Sequence, residues 1–87
     1  MTWAAGFDFT DAVAPTTTPT TAPAEGGTAV TLLASDNVAV SGIEYRIGAA
    51  TAWTRYAGTV TVPSGGSITF RAVDVNGNVE ATQTLLL

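Results

Sequence analysis

The sequence predicts an all-β protein: a small antiparallel sandwich preceded by an extended N-terminal arm. Three features predict it. After Thr28 the apolar residues alternate with polar ones in runs of four to eight, the period of a strand with one buried face. Gly, Pro and Asn clusters punctuate those runs at regular intervals. Thr and Val abound, and no stretch carries a helical period of useful length.

The chain divides by composition into 1–14, an aromatic arm; 15–27, a Thr/Pro-rich linker; and 28–87, the sandwich. Eighty-seven residues allow one domain at most. The arm, MTWAAGFDFTDAVA, carries Trp3, Phe7 and Phe9 beside Asp8 and Asp11. Solvated tails are poor in large aromatics, and binding hot spots are rich in them. Trp3, Phe7 and Phe9 are therefore the candidate partner-binding residues. The competing readings are a loose terminus and an arm folded back on its own domain.

In the linker, Pro15, Pro19 and Pro23 recur every fourth residue among threonines and favour extended backbone. Such a segment serves as a passive stalk, or as a first edge strand, where proline is tolerated. Glu25-Gly26-Gly27 reads as a turn. The first firm strand is Thr28–Ser35, with Val30, Leu32 and Ala34 on the core face. The central strand is 42–48, with Ile43, Tyr45 and Ile47 inward and Glu44 and Arg46 outward. Trp53–Tyr56 starts a strand that Gly58 breaks, and Thr59–Val62 resumes it with Val60 and Val62 inward. Ser67–Asp74 points Ile68, Phe70 and Ala72 inward and Thr69 and Arg71 outward. A tight turn at Asn76-Gly77 leads into Val79–Leu87. Alternation buries only one or two of Leu85, Leu86 and Leu87.

Charge narrows the function classes. The chain has no His, Cys or Lys; Arg46, Arg55 and Arg71 are its only cations, and the net charge is −4. Nucleic-acid binding needs a basic footprint that this chain lacks. No apolar run approaches the length of a membrane span, so no membrane insertion is expected. Without His, Cys or Lys the usual nucleophile–base pairs cannot be assembled, and no catalytic residue or cofactor is assigned. A carboxylate pair, Glu44 with Asp74 or Glu80, is the sole hydrolytic alternative.

Asp74-Val75-Asn76-Gly77-Asn78-Val79-Glu80 places oxygen ligands like the start of a calcium loop. The glycine falls at the fourth position instead of the sixth, however, and Leu85 stands where a bidentate Glu is needed. Turn chemistry fits better, and no metal ligand is assigned. Trp53 and Tyr56 read as core residues, with a sugar-stacking platform as the alternative. Met1-Thr2-Trp3 lacks a basic start, and Asp8 and Asp11 interrupt any apolar region. If Met1 is the natural start, that pattern predicts a protein not exported by the usual route.

The series VTLLASDN, SGIEYRIG, WTRYAGTVTV and ITFRAVDVNGNVE resembles the bacterial immunoglobulin-like repeats of large surface and secreted proteins, including those appended to glycoside hydrolases. The matching residues are Val30, Thr31, Leu32, Ala34 and Asp36; Ser41 and Gly42; Tyr45, Arg46 and Ile47; Trp53 and Tyr56; and Arg71, Ala72, Asp74, Gly77, Asn78 and Glu80. The resemblance spans about residues 16–84 and implies an immunoglobulin-like sandwich. It also implies spacer, display or adhesion work, sometimes with sugar contact, and supplies no activity.

Together these readings predict a non-enzymatic structural or display protein. The first expectation is a phage virion decoration or fibre-type protein, docked on a capsid or other assembly protein through residues 1–14 and located on the virion surface. The alternative is a spacer or carbohydrate-contacting module of an adhesin or glycoside hydrolase, at the bacterial cell surface or secreted, with a host-surface glycan as partner. A third reading is a homo-oligomeric fibre in which one copy's arm completes the next copy's sheet.

Overall fold

The computed structural model describes residues 13–36 and 39–87. Trp3, Phe7 and Phe9, and with them residues 1–12 of the arm, lie outside the described residues. Among these residues there are seven strands: β1 (Thr16–Ala24), β2 (Gly27–Ser35), β3 (Val40–Ile47), β4 (Thr54–Arg55), β5 (Val60–Pro63), β6 (Ser67–Asp74) and β7 (Gln83–Leu86). They form two antiparallel sheets, ordered β1-β2-β5 and β4-β3-β6-β7. The protein is thus an all-β sandwich, as the alternation predicts, and no helix occurs among the described residues.

The inward faces match the sequence pattern. Val30, Leu32, Ile43, Val62, Ile68, Phe70 and Ala72 make the buried core, and Ala34, Tyr45, Ile47, Val60, Leu85 and Leu87 pack around it. Phe70 is the largest fully enclosed side chain among the described residues. Strand β6 alternates without a break between half-buried and buried positions. At the C-terminus Leu85 and Leu87 reach the core while Leu86 stays 80% exposed, the partition that period-two alternation requires.

The Thr/Pro tract is a strand and not a free linker. Thr16 to Ala24 pair in register with Ser35 to Gly27 of β2. Glu25 and Gly26 form the two-residue hairpin loop, and Gly26 supplies its positive φ of 84°. Gly27 is required for a different reason: a Cβ there would run into the Val62 carbonyl oxygen of β5.

Proline survives in this strand because of where its missing N–H would point. The Thr17 N–H and C=O bond to the side chains of Glu80 and Gln83, at the entry to β7, so they face away from β2. Backbone groups alternate sides along a strand. Thr17, Pro19, Thr21 and Pro23 therefore share the outer edge. Two of those four positions carry no donor and one donor is engaged, which leaves Thr21. An edge blunted in this way is a poor template for strand addition.

Strand β2 is bordered by β5 only from Gly27 to Val30. Beyond that point the Leu32 N–H donates to the Tyr56 hydroxyl at 3.1 Å, which ties the two sheets together. The Tyr56 ring meets Tyr45 edge-on, with centroids 6.4 Å apart.

Replacing Pro19 and Pro23 together by Thr restores two outward donors. The double variant is expected to self-associate at lower concentration than the parent, as read by sedimentation velocity. Unchanged sedimentation would show that the prolines do not protect the edge.

Candidate functional site

Two clusters of polar side chains stand out, one inside the sandwich and one on its outer surface. The inner one is built on Glu80, which is only 9% exposed. It lies in an irregular stretch between β6 and β7. Val73 bridges to Val79, yet Phe70 pairs with Gln83, so three steps along β6 match four along its neighbour. That extra residue is a bulge. Residues three apart in a regular strand face opposite ways; the bulge turns both Glu80 and Gln83 toward the interior.

There the Glu80 carboxylate accepts four hydrogen bonds. Oε1 takes the Thr17 hydroxyl at 2.6 Å and the Ala72 N–H at 3.0 Å. Oε2 takes the Thr17 N–H at 3.0 Å and the Gln83 amide at 2.6 Å. Gln83 also donates to the Thr17 carbonyl at 2.8 Å. Edge strand β1 is thereby fastened to the second sheet. Burial works to raise the Glu80 pKa, and the hydrogen bonds from Thr17, Gln83 and Ala72 outweigh it, so the carboxyl sits below its ordinary value.

Asp74, 1% exposed, is also held by amides. Its Oδ1 accepts the Asn76 and Asn78 N–H groups at 2.9 and 2.8 Å, and its Oδ2 accepts the Asn78 side-chain amide at 2.8 Å. Gly77 takes a φ of 86°. This is the turn chemistry expected of the segment. The proposed pairing of Glu44 with Asp74 or Glu80 is not formed, because Glu44 lies on the outer face of β3 while the other two are buried.

The outer cluster occupies the exposed face of the four-stranded sheet. Glu44 stands opposite Arg55 of β4 on one side and Arg71 of β6 on the other. The Arg71 Nε donates to Glu44 Oε1 at 2.9 Å, a partly exposed pair that contributes about 0–1 kcal/mol. Trp53 lies on this face and not in the core, which corrects the sequence expectation; Tyr56 does pack on the core. The Arg46 and Arg71 guanidinium carbons lie 4.5 and 4.1 Å from the Trp53 ring centroid. A Trp53/Tyr56 platform is therefore not formed: Tyr56 faces inward and its hydroxyl accepts from Leu32.

Arg55 folds back along β3, and its Nη2 donates to the Ser41 carbonyl at 3.0 Å. The bare backbone of Gly42 makes room for it, since a Cβ would lie 2.8 Å from Nη2. All three cations of the chain thus share one face. A hollow of about 390 Å³ on the opposite sheet is lined by Thr18, Thr20, Thr31, Leu33, Ala34 and Ser35, with no charged group.

Alternation places Arg46 and Arg71 outward but carries no sign that they share Trp53, because the indole reaches them from the residue before β4. Glu80 was legible as a motif residue and not as a clasp. No protein-family model, curated protein or solved structure matches this chain.

Glu80→Gln puts an NH2 group where two donors converge, and is expected to cost about 2–3 kcal/mol in denaturant unfolding. The pH dependence has a definite sign. The folded pKa lies below the ordinary 4.5, so Glu80 contributes full stability above that value and loses it as pH falls through the folded pKa. The acid destabilisation of the parent below pH 4.5 should therefore be shallower in Glu80→Gln.

Proposed function

We propose that this chain is a non-enzymatic structural protein. In this reading an immunoglobulin-like sandwich is displayed while Trp3, Phe7 and Phe9 dock residues 1–14 on a capsid or other assembly protein, and the virion surface is the setting. The observation that carries the proposal is the division of labour along the chain. From Pro15 onward the sandwich fills its interior with its own Phe70, Ile68, Val30 and Val62 and closes its edge with its own Glu80. The early aromatics precede this unit, and aromatics of that kind dominate binding hot spots. The edge strand begins at Thr16, so the arm joins the sandwich directly, without a Thr/Pro stalk.

The second reading, a carbohydrate-contacting module of an extracellular adhesin or hydrolase, is favoured by one observation: Trp53 lies on the outer face beside Arg46 and Arg71. The strand-addition fibre is disfavoured by the blunted edge of β1.

Deletion of residues 2–12 tests the first reading. The shortened protein is expected to keep the parent's cooperative thermal transition and to lose incorporation into its assembly, measured by co-sedimentation with virions. Incorporation at the parent's level would refute docking through the arm.

A further inference from the structure

We propose that the outer face of the four-stranded sheet binds a carboxylated saccharide, with Arg46 as the principal contact and Trp53 as the surface that holds it. This deepens the carbohydrate-contacting reading above, on which it rests, and is independent of the docking role assigned to the arm.

The argument begins with charge. A chain of net charge −4 gathers its three arginines on one face of three adjacent strands. No two of them stand directly opposite each other: Arg55 and Arg71 flank Glu44 and Arg46 faces Thr69, so a single carboxylate serves three guanidinium groups. Glu44 compensates once, through Arg71. Arg55 is engaged by the Ser41 carbonyl, which spends one donor and leaves its charge in place. Arg46 has no hydrogen-bond acceptor among the described residues; its contact is with the Trp53 ring. The face therefore keeps an excess of positive charge that an anion would satisfy.

Geometry narrows the anion. A guanidinium held against an indole is restricted in orientation, and its fork of donors matches a carboxylate in two parallel bonds. Indole and hydroxyl groups border it. Thr69 stands opposite Arg46, and its hydroxyl is within 3.1 Å of the Thr84 hydroxyl in the adjoining strand. A cation, an aromatic surface and a pair of hydroxyls side by side suit a sugar ring that bears a carboxylate. A carboxylate side chain alone engages the cation, whereas a sugar ring carries hydroxyls that can meet Thr69 and Thr84 as well.

The test is a calorimetric titration of the full chain, with the Trp53 indole N–H resonance followed by NMR. Trigalacturonic acid is the probe; its methyl ester and hexaglutamate are the comparisons. Trigalacturonic acid is expected to bind and shift the indole resonance. The methyl ester should bind at least about tenfold more weakly, because the charge-assisted bonds are lost. Arg46→Gln should weaken binding by about tenfold or more, and Arg46→Lys, which keeps charge without the fork, by less. Both variants should melt with the parent, which separates lost binding from lost fold. Thr61→Ala, on the other sheet, should bind as the parent does. The proposal is overturned if trigalacturonic acid does not bind, if Arg46→Gln binds like the parent, if hexaglutamate binds as tightly as the saccharide, or if the methyl ester binds as tightly as the acid, a result that would leave the carbohydrate-contacting reading standing without the carboxylate.

Discussion

One buried carboxylate fastens the edge strand β1 to the second sheet. An ionised side chain moved out of water is costly unless hydrogen bonds replace its hydration. Glu80 receives that replacement from Thr17, Ala72 and Gln83, groups that lie in three different strands. Because the requirement is mutual, it also orders the donors. Thr17 has its N–H, hydroxyl and carbonyl all engaged by Glu80 and Gln83, and this fixes which edge of β1 faces outward. The tolerance of Pro19 and Pro23 follows from that choice. The bulge that turns Glu80 and Gln83 inward is the local distortion through which the network forms.

The two faces of the second sheet are used differently. Inside, β6 contributes Ile68, Phe70 and Ala72 to the core and ends in Asp74, whose carboxylate organises the following turn. Outside, the same strand offers Thr69 and Arg71 to solvent beside Arg46 and Trp53. A strand that packs on one face and carries chemistry on the other costs the fold little, because period-two alternation separates the roles. Changes on the outer face are accordingly expected to alter binding more than stability.

Most of the fold was legible because burial follows a short-range pattern. Val30, Leu32, Ile43, Val62, Ile68, Phe70 and Ala72 were all placed inward by alternation, and the bounds of β6 were read from turn residues on either side. What escaped depended on distance in the chain. Thr17 and Glu80 are separated by 63 residues, so nothing near the Thr/Pro tract announces that a carboxylate will fasten it to the sandwich. Proline spacing alone fits a stalk as well as an edge strand. Trp53 was misplaced for a related reason: large apolar residues usually go inside a small domain, and the two arginines that hold it outside come from β3 and β6.

Native-state hydrogen exchange of the Thr17 and Ala72 amides tests the central claim most directly. Both donate to Glu80, although one belongs to a tract that reads as a linker and the other to the central core strand. The account predicts that, after division by their intrinsic exchange rates, the two amides report one opening free energy, that of global unfolding. Fast exchange at Thr17 beside full protection at Ala72 would show that β1 opens independently and that Glu80 does not fasten it.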